Sequence, residues 1–552
     1  MLPLVFLFFV PLCSADMFTA LADMQNLLGA ESEVKTMISN YIDVEMQRLQ
    51  RLKKIADEYS ERNAEVARVG PEFVMNPINA FKLVKRLTHD WDLMQTAMTK
   101  NSADFFLKNI TATRVSKKAR YPGQEDLAGA AIGLVRLQDT YNLDTKELAS
   151  GIVKGKKVGR ELTSQDCFEI GKATYDNADY YHTVLWMQEA KRKHQPGVSE
   201  TNLEDILEYL AFALFKQDNV KRALQYTREL LQLNPDHPRA RGNIKWYENM
   251  LSEEERATDE IPPLSLNRPD DYPEHNAYEA LCRGEETVRL TDFPSLKKFF
   301  KLKMTFVSIN GAPVDHTIYC YYKMDKPYLR LAPIKVEILR FDPLVVLFKQ
   351  IISDYEIEVI KELSIPRLRR ATVQNAQTGE LEYASYRISK SAWIRGEEHP
   401  VIDRLNKRIA LMTNLNQDTA EELQAQNYGI GGHYDPHFDF ARKEETNAFK
   451  SLGTGNRIAT VLIYMTDVEL GGGTVFNELG NAVFPSKYDA LFWYNLKRSG
   501  DGDLRTRHAA CPVFLGTKWV SNKWIHERGQ EFTRPCGLTP DAAEKFIGDL
   551  GN

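Results

Sequence analysis

The length and charge of the chain exclude several classes of protein. It has 552 residues, 43% of them hydrophobic, and its 71 Lys and Arg residues against 76 Asp and Glu residues give a net charge of −5. A chain of this length exceeds one hydrophobic core, so several folded domains are expected. The charges are dispersed, without a basic stripe or an acidic tail, which argues against a nucleic-acid-binding protein.

The first 15 residues have the pattern of a cleaved secretory signal peptide. An apolar run at residues 2–10 is followed by small residues at 13–15, which predicts cleavage after Ala15. The run is too short to cross a bilayer, so no membrane span is expected. The sequon at Asn109 predicts an N-glycosylation site and agrees with entry into the secretory pathway. The C-terminus is not a KDEL-type signal, so retention in the endoplasmic reticulum would need another cause.

Residues 16–144 are predicted to form a helical domain. Apolar residues between Leu27 and Tyr59 recur at steps of three, four or seven and are separated by charges. This pattern is typical of a long helix with one apolar stripe. The stripe fits either an ordinary bundle helix or a dimerising coiled coil, and the region is therefore assigned as a helical, coiled-coil-type dimerisation domain with both alternatives open.

Residues 145–255 have the pattern of tetratricopeptide-like helical hairpins. Small residues punctuate the first helix at 167–175, and the second unit closes with the run LNPDHP at 233–238. Two units are few for a solenoid, so flanking helices must cap them. Such modules bind peptides along a concave face, which predicts a peptide-substrate-binding domain.

The remainder of the chain is predicted to be a linker followed by a β domain. Residues 256–335 contain a Pro- and acid-rich connector with few apolar residues. Residues 336–540 contain short β-branched and aromatic runs, such as 458–465 and 490–494, punctuated by glycines at 471–473. Many short strands with turn signals predict a double-stranded β-helix, also called a jelly roll.

A His-x-Asp pair in the β domain has the spacing of an iron site. Two imidazoles and one carboxylate on one face of Fe(II) leave open positions for a co-substrate and O2. Two neighbouring pairs have this spacing, His437 with Asp439 and His433 with Asp435. Pro436 is expected to bend the chain between them, because proline cannot donate to a strand ladder. The pair at 437 and 439 is preferred, because it alternates with phenylalanines whereas the other pair follows a glycine-rich loop.

A third iron ligand and an anion-binding lysine are expected downstream. His508 and His526 both fit the third ligand, and His508 is preferred because it precedes Lys518 by ten residues, a distance that a β-hairpin can span. Lys518 lies in an apolar strand that would bury its stem, and a buried ammonium requires an anion. The distal carboxylate of 2-oxoglutarate would supply it. Tyr428 could add a hydroxyl group there or be a core residue, and His526 suits a supporting role near the co-substrate.

The chain resembles the catalytic α subunit of collagen prolyl 4-hydroxylases over its whole mature length. The resemblance rests on runs such as PRLRRATV at residues 366–373, PHFDFAR at 436–442 and WIHERGQEF at 524–532. It implies hydroxylation of proline at C4 in collagen-like X-Pro-Gly chains, with O2 and 2-oxoglutarate consumed and succinate and CO2 released. L-Ascorbate would keep the iron active. Protein disulfide isomerase would be the β subunit of an α2β2 tetramer in the endoplasmic reticulum lumen.

The resemblance also implies which residues bind the cofactors. Fe(II) would be held by His437, Asp439 and His508, and 2-oxoglutarate by Lys518. His526 would assist the handling of the co-substrate.

The peptide-binding module departs from the family pattern. The residues that the resemblance implies for peptide binding are Tyr209, Phe212, Phe215, Arg239, Asn243 and Trp246. Arg239 and Asn243, which would bond to ligand carbonyl groups, match the family, whereas Trp246 and Asn249 stand where tyrosines are expected. An aromatic row on a helix can also be core. Rings without hydroxyls still stack on proline but lose hydrogen bonds, so peptide affinity and preferred repeat length are expected to differ.

Five cysteines remain after the signal peptide, and their odd count leaves at least one thiol free. We expect Cys511 to pair with Cys536, because they flank the last core strands, and Cys282 to pair with Cys320. Cys167 is expected to be buried and reduced. An oxidising lumen permits both bonds, and no CxxC pair indicates a zinc ribbon or thioredoxin-like chemistry.

Two further functions fit parts of the sequence. A hydroxylase of lysine or of other proline-rich secretory proteins would use the same iron chemistry, but lysyl and oxygen-sensing relatives usually present Arg to 2-oxoglutarate, and Lys518 argues against them. A non-catalytic peptide-binding chaperone with an inactive jelly roll is the alternative from another class. The intact set of His437, Asp439, His508 and Lys518 argues against it.

Overall fold

The fold is taken from a computed structural model that describes most of the chain. The described residues are 17–100, 103–116, 122–258, 260–285, 319–374, 381–445, 447–539, 542 and 544. The predicted signal peptide and much of the predicted linker lie outside them. Among the described residues, no helix is long and apolar enough to cross a membrane. The chain divides into two compact units, residues 23–122 and residues 1–22 together with 123–552.

The unit at residues 23–122 is helical. Its helices are α1 (Leu21–Val69), α2 (Pro77–Lys85), α3 (Trp91–Thr99) and α4 (Ala103–Ser116). α2 begins where Asn76 accepts a hydrogen bond from the N–H of Ile78, with proline in the first helical position. The apolar stripe of α1 is only partly covered by the described part of the chain. Ile38 and Leu49 are 52% and 55% exposed, whereas Leu52 and Ile55 are half-buried. The dimerising coiled coil therefore stays a prediction.

The second unit begins with a bundle of short helices that carries the two expected hairpins. Its helices are α5 (Gln124–Thr140), α6 (Thr145–Ala149), α7 (Ser164–Asp176), α8 (Tyr180–Lys193), α9 (Leu203–Lys216), α10 (Val220–Leu233), α11 (Ala240–Met250), α12 (Glu253–Ala257) and α13 (Pro273–Cys282). The hairpins are α7 with α8 and α9 with α10, and α5 and α11 pack against their two ends. A small hairpin joins β1 (Ile152–Val153) to β2 (Lys156–Lys157). α5 packs on α7, and the two compact units divide after residue 122. The domain boundary expected at residue 144 stays a prediction.

The jelly roll follows, as predicted. Its strands are β3 (Tyr319–Lys323), β4 (Ile334–Phe341), β5 (Leu344–Lys349), β6 (Arg369–Arg370), β7 (Thr372–Gln374), β8 (Leu381–Tyr383), β9 (Arg387–Ile388), β10 (Lys390–Ile394), β11 (Leu423–Asn427), β12 (His433–His437), β13 (Arg457–Tyr464), β14 (Val468–Gly471), β15 (Thr474–Phe476), β16 (Asn481–Val483), β17 (Ala490–Tyr494), β18 (His508–Ala510), β19 (Val513–Gly516) and β20 (Trp519–His526). The major sheet has the order β3-β4-β5-β17-β13-β20-β11-β10-β6, and the minor sheet has the order β16-β15-β18-β12-β9.

The central strands of the major sheet are buried on both faces. Along β13, Val461 and Ile463 pack in the cluster that includes residues of α14 (Asp354–Ser364) and α15 (Pro400–Thr413). Leu462 and Tyr464 point the other way, into the space between the two sheets, because successive side chains of a strand alternate. One face of β13 therefore packs against the helices and the other lies between the two sheets.

The expected disulfide pairings are wrong. Cys282 at the end of α13 is bonded to Cys511, with their Cα atoms 5.5 Å apart. α13 packs its apolar face on the minor sheet in a small buried cluster, and this brings together cysteines separated by 229 residues. Cys320 and Cys536 are exposed and free, and Cys167 is buried and free as expected. Proximity to the last core strands was therefore a poor guide to pairing.

Candidate active site

Three side chains inside the jelly roll form a group that could hold a metal ion. They are His437, Asp439 and His508, whose ligand atoms all lie within 4.8 Å of one another. Nε2 of His437 is 3.7 Å from Oδ1 of Asp439, and Nε2 of His508 is 3.6 Å from Oδ2 of the same carboxylate. The three residues that the sequence selected are therefore brought together.

An irregularity in β12 explains why His437 rather than His433 joins this group. Tyr434 pairs with Ala510 and His437 pairs with His508, so three steps along β12 match two steps along β18. This extra residue is a β-bulge between Tyr434 and His437, a stretch that contains Pro436, which has no N–H to donate. A bulge reverses the alternation of side chains, so His437 faces His508 whereas His433 faces the other way.

His433 has a structural environment of its own. It is buried, its Nε2 lies 3.3 Å from Asp435, and its Nδ1 lies 3.3 Å from the carbonyl oxygen of Gly431. Burial and the neighbouring Arg136 guanidinium hold its pKa below the ordinary value. The pair His433 and Asp435 is thus internally satisfied.

The two ligand histidines are oriented by backbone carbonyl groups. Nδ1 of His437 lies 2.7 Å from the carbonyl oxygen of Asp435, and Nδ1 of His508 lies 3.0 Å from that of Thr506. A carbonyl oxygen only accepts, so each Nδ1 is the donor, and the neutral form of each ring presents the lone pair of Nε2. Burial, together with the His508 ring, lowers the pKa of His437 to about 3. His437 is therefore neutral, as a metal ligand must be.

The carboxylate is held ionised. Burial alone would raise the pKa of Asp439, but its polar surroundings, which include the charge of Arg457 and a hydrogen bond, lower it to about 2. That hydrogen bond comes from Thr460, whose hydroxyl donates to Oδ2 of Asp439 over 2.7 Å. Two imidazoles and one carboxylate are the donor set of a non-haem Fe(II) site with open positions, so the residues fit that ion.

Lys518 lies immediately before β20 and is 1% exposed. Burial lowers the pKa of Lys518 to about 7, and no carboxylate among the described residues offsets this effect. Its Nζ lies 4.8 Å from the centre of the Tyr428 ring. The hydroxyl of Tyr428 donates to Gln426 over 2.9 Å, and its pKa, raised to about 12 mainly by burial, also responds to the charge of Asp439.

Comparison with known proteins identifies the family. Residues 20–155 match the prolyl 4-hydroxylase alpha-subunit N-terminal region, residues 164–253 the prolyl 4-hydroxylase peptide-substrate-binding domain, and residues 423–526 the 2OG-Fe(II) oxygenase superfamily. Prolyl 4-hydroxylase subunit alpha-2 of Caenorhabditis elegans is 58% identical over 545 residues, which cover 98% of this chain and 96% of that protein. Prolyl 4-hydroxylase subunit alpha-1 of Homo sapiens is 46% identical over 535 residues, covering 95% and 96%. The chain belongs to the prolyl 4-hydroxylase alpha-subunit family.

Membership confirms the resemblance, the fold class and the enzyme class expected from the sequence. The chain is a proline 4-dioxygenase with a peptide-substrate-binding domain, and its cofactors are Fe(II), 2-oxoglutarate and ascorbate. The oxygenase match at residues 423–526 contains the three candidate iron ligands and Lys518.

His526 lies at the end of β20 that is distant from Lys518. Its Nε2 is 2.9 Å from Glu421, and its Nδ1 is 2.8 Å from the carbonyl oxygen of Gly455. Glu421 pairs with Arg457 over 2.5 Å, and Arg457 donates to the backbone oxygen of Asp439 over 3.4 Å. In this conformation His526 reaches the candidate iron site through a chain of polar contacts rather than directly.

Several of these residues were not found from the sequence. Glu421, Arg457 and Thr460 support Asp439, and the Tyr434 ring stacks on the His437 ring with centroids 3.5 Å apart. Tyr434 is the middle residue of the other candidate pair, between His433 and Asp435, so its position three residues before His437 was the available signal. The other three are distant in sequence and carried none.

The aromatic row of the repeat module is half-buried rather than core. Tyr209, Phe212 and Phe215 lie on one face of α9, and Phe215 meets the exposed Trp246 ring at 4.6 Å. Two further rings, absent from the sequence prediction, extend this surface: Tyr175 lies 4.7 Å from Tyr209, and Tyr180 lies 6.0 Å from Phe212.

The two polar residues expected to bind peptide differ in their environment. Arg239 is 69% exposed and pairs with Glu208 over 2.5 Å, while Asn243 is half-buried on α11. The Arg239 guanidinium would therefore exchange one partner for another when it bonds to a peptide.

Proposed function

We propose that the chain hydroxylates C4 of proline in collagen-like X-Pro-Gly chains, consuming O2 and 2-oxoglutarate and releasing succinate and CO2. The observation that carries the proposal is the triad of half-buried His437 with buried Asp439 and His508. The same domain contains Lys518, a buried ammonium with no ion pair among the described residues. When bound, the iron supplies the oxidising chemistry. The protein supplies the ligands, the anion site and a dry, shaped interior.

Each residue has a defined role in this proposal. His437 and His508 offer Nε2 because their Nδ1 protons are already donated to carbonyl groups. Asp439 offers the oxygen not engaged by Thr460. Lys518 neutralises the distal carboxylate of 2-oxoglutarate, since an ammonium without exposed surface requires an anion. His526 orients the Asp439 segment through Glu421 and Arg457.

The peptide would bind along the aromatic row. Proline rings stack on aromatic faces, and the half-buried rings of Tyr209, Phe212 and Phe215 together with Trp246 present such faces. Arg239 and Asn243 would bond to peptide carbonyl groups. Because Phe212 and Phe215 lack hydroxyls, this surface would recognise a proline-rich peptide by shape more than by hydrogen bonding.

The compartment and the assembly are part of the proposal. The Cys282–Cys511 disulfide suits an oxidising lumen, and Asn109 is exposed on α4 as a glycosylation acceptor must be. We place the protein in the endoplasmic reticulum lumen, as the α subunit of an α2β2 tetramer with protein disulfide isomerase. That partner would account for retention without a KDEL-type signal on this chain.

The test is substrate selection by the purified complex supplied with Fe(II), 2-oxoglutarate and ascorbate. (Pro-Pro-Gly)n should stimulate succinate release, whereas a matched peptide with lysine in place of the hydroxylated proline should not. Stimulation by the lysine peptide would favour a lysyl hydroxylase. Binding of (Pro-Pro-Gly)n without any succinate release would favour the non-catalytic chaperone.

A further inference from the structure

The N-terminal segment at residues 17–22 is seated against the jelly roll, next to the loop that precedes β12. The N–H of Leu21 donates to the carbonyl oxygen of Tyr428 over 3.3 Å, and the N–H of Ile430 donates to that of Phe18 over 3.1 Å. The N–H of Ala22 donates to Oδ1 of Asn427 over 3.0 Å. Within the segment, Thr19 and Ala20 have no exposed surface.

These contacts provide hydrogen-bond acceptors for the first N–H groups of a helix. Leu21 and Ala22 are the first two residues of α1, and the first N–H groups of a helix have no partner within it. Here Tyr428 and Asn427 supply the missing acceptors. If the segment left its seat, these donors and acceptors would lose their partners.

Two glycines leave the space in which the segment lies. A Cβ atom on Gly429 would be 1.8 Å from the backbone oxygen of Phe18, and a Cβ atom on Gly129 of α5 would be 2.2 Å from the Phe18 ring. Both distances are far shorter than any real contact. A methyl group at either glycine would therefore displace the segment.

The residues that hold the segment also hold Lys518. Nδ2 of Asn427 donates to the backbone oxygen of Lys518 over 3.3 Å, and the N–H of Tyr428 donates to the same oxygen over 3.2 Å. The Tyr428 ring lies beneath the Lys518 ammonium. Asn427 thus connects Ala22 on one side to Lys518 on the other.

We propose that residues 17–22 form a positioning element for Lys518, and through it for the binding of 2-oxoglutarate. The inference rests on the anion-binding role proposed above for that lysine. Seating fixes Asn427 and Tyr428, and these two fix the backbone and the ammonium of Lys518. Loss of seating should weaken the binding of 2-oxoglutarate while iron binding and peptide binding persist, since neither uses this contact.

Three substitutions release the segment from different sides. Phe18→Ala removes its anchor, Gly129→Ala closes the space on α5, and Gly429→Ala closes the space at the loop. Alanine is a better helix former than glycine, so a defect in Gly129→Ala would not come from α5 itself. The matched control is Gly29→Ala in α1, where a Cβ atom meets nothing within 4 Å.

The experiment is calorimetric titration of 2-oxoglutarate into the Fe(II)-loaded complex without O2. Relaxing a hydrogen bond that positions the anion site should weaken binding about tenfold in the three variants and leave Gly29→Ala unchanged. Hydrogen exchange should accelerate at residues 427–430 and 516–520 but not at 437–439. Iron content should stay at the wild-type level.

Lys518→Ala, measured in parallel, separates the positioning role of residues 17–22 from the anion-binding role of Lys518. Loss of 2-oxoglutarate binding in Lys518→Ala with wild-type affinity in all three segment variants would overturn the positioning role and leave the function of Lys518 standing. Unchanged binding in Lys518→Ala would remove the function of Lys518 itself. A parallel loss of iron in the segment variants would show that the segment supports the whole fold, which also overturns the inference.

Discussion

Replacement of Lys518 should have opposite effects on ligand binding and on stability. In Lys518→Ala, the distal carboxylate of 2-oxoglutarate would enter a buried site without a cation. Leaving one partner of a buried ion pair uncompensated costs about 3–5 kcal/mol, which is about two to four orders of magnitude in affinity. Lys518→Arg keeps the charge but needs more room and a different fork geometry, so it should restore only part of the affinity.

The stability effect follows from the lowered pKa of Lys518. Its fall from 10.5 to about 7 corresponds to roughly 5 kcal/mol of cost for the charged form in the folded protein. Lys518→Met removes that cost, so the variant should be more stable than the wild type when 2-oxoglutarate is absent. Between pH 7 and 10.5 the unfolded chain binds more protons than the folded protein, so wild-type stability rises with pH. The difference in the free energy of unfolding between Lys518→Met and the wild type should be largest below pH 7 and shrink towards pH 10.5.

The matched control lies five residues further along the chain, in β20. Lys523 is also buried, and burial lowers its pKa to about 8. Lys523→Met should therefore also stabilise the protein, but it should leave the affinity for 2-oxoglutarate unchanged. Calorimetric titration of 2-oxoglutarate and denaturant unfolding at several pH values measure both effects. Wild-type affinity in Lys518→Ala would refute the reasoning.

The remaining predictions concern the ligands, their support and the disulfide. His437→Ala should abolish iron binding and turnover, because two ligands hold Fe(II) poorly, whereas His433→Ala should retain both; the reverse result in an iron titration would show that the chosen pair is wrong. Thr460→Val should lower iron affinity by about tenfold to a hundredfold, since it removes the hydroxyl that donates to a ligand; a wild-type iron titration curve would contradict this. Mass mapping of a non-reduced digest should find Cys282 linked to Cys511, and a fragment that links Cys511 to another cysteine would contradict the fold around α13.

The sequence predicted the residues of the candidate site that can be recognised from their spacing along the chain. The short interval from His437 to Asp439 and the choice of His508 are confirmed in the structure, which gathers these three residues within 4.8 Å. The hairpin expected between His508 and Lys518 is wrong, because β18 lies in the minor sheet whereas β19 pairs with β14. The choice between the two His-x-Asp pairs depended on a bend at Pro436. The register of β12 against β18 contains that bend as a bulge.

Contacts between distant segments could not be predicted in this way. Glu421 and Arg457 meet because β11 and β13 are both neighbours of β20, and no motif encodes this. The bond from Cys282 to Cys511 depends on how α13 packs on the minor sheet. The seat of residues 17–22 depends on space left by two glycines, which a periodicity analysis cannot detect.

The central claim is tested most directly by the ratio of products on a collagen-like peptide. The purified complex is incubated with (Pro-Pro-Gly)n, Fe(II), 2-oxoglutarate and ascorbate, and 4-hydroxyproline and succinate are quantified together by mass spectrometry and NMR. We predict equal amounts of the two products, with the hydroxyl at C4, and neither product from Asp439→Ala. Succinate without 4-hydroxyproline, or equal product formation by Asp439→Ala, would contradict the account.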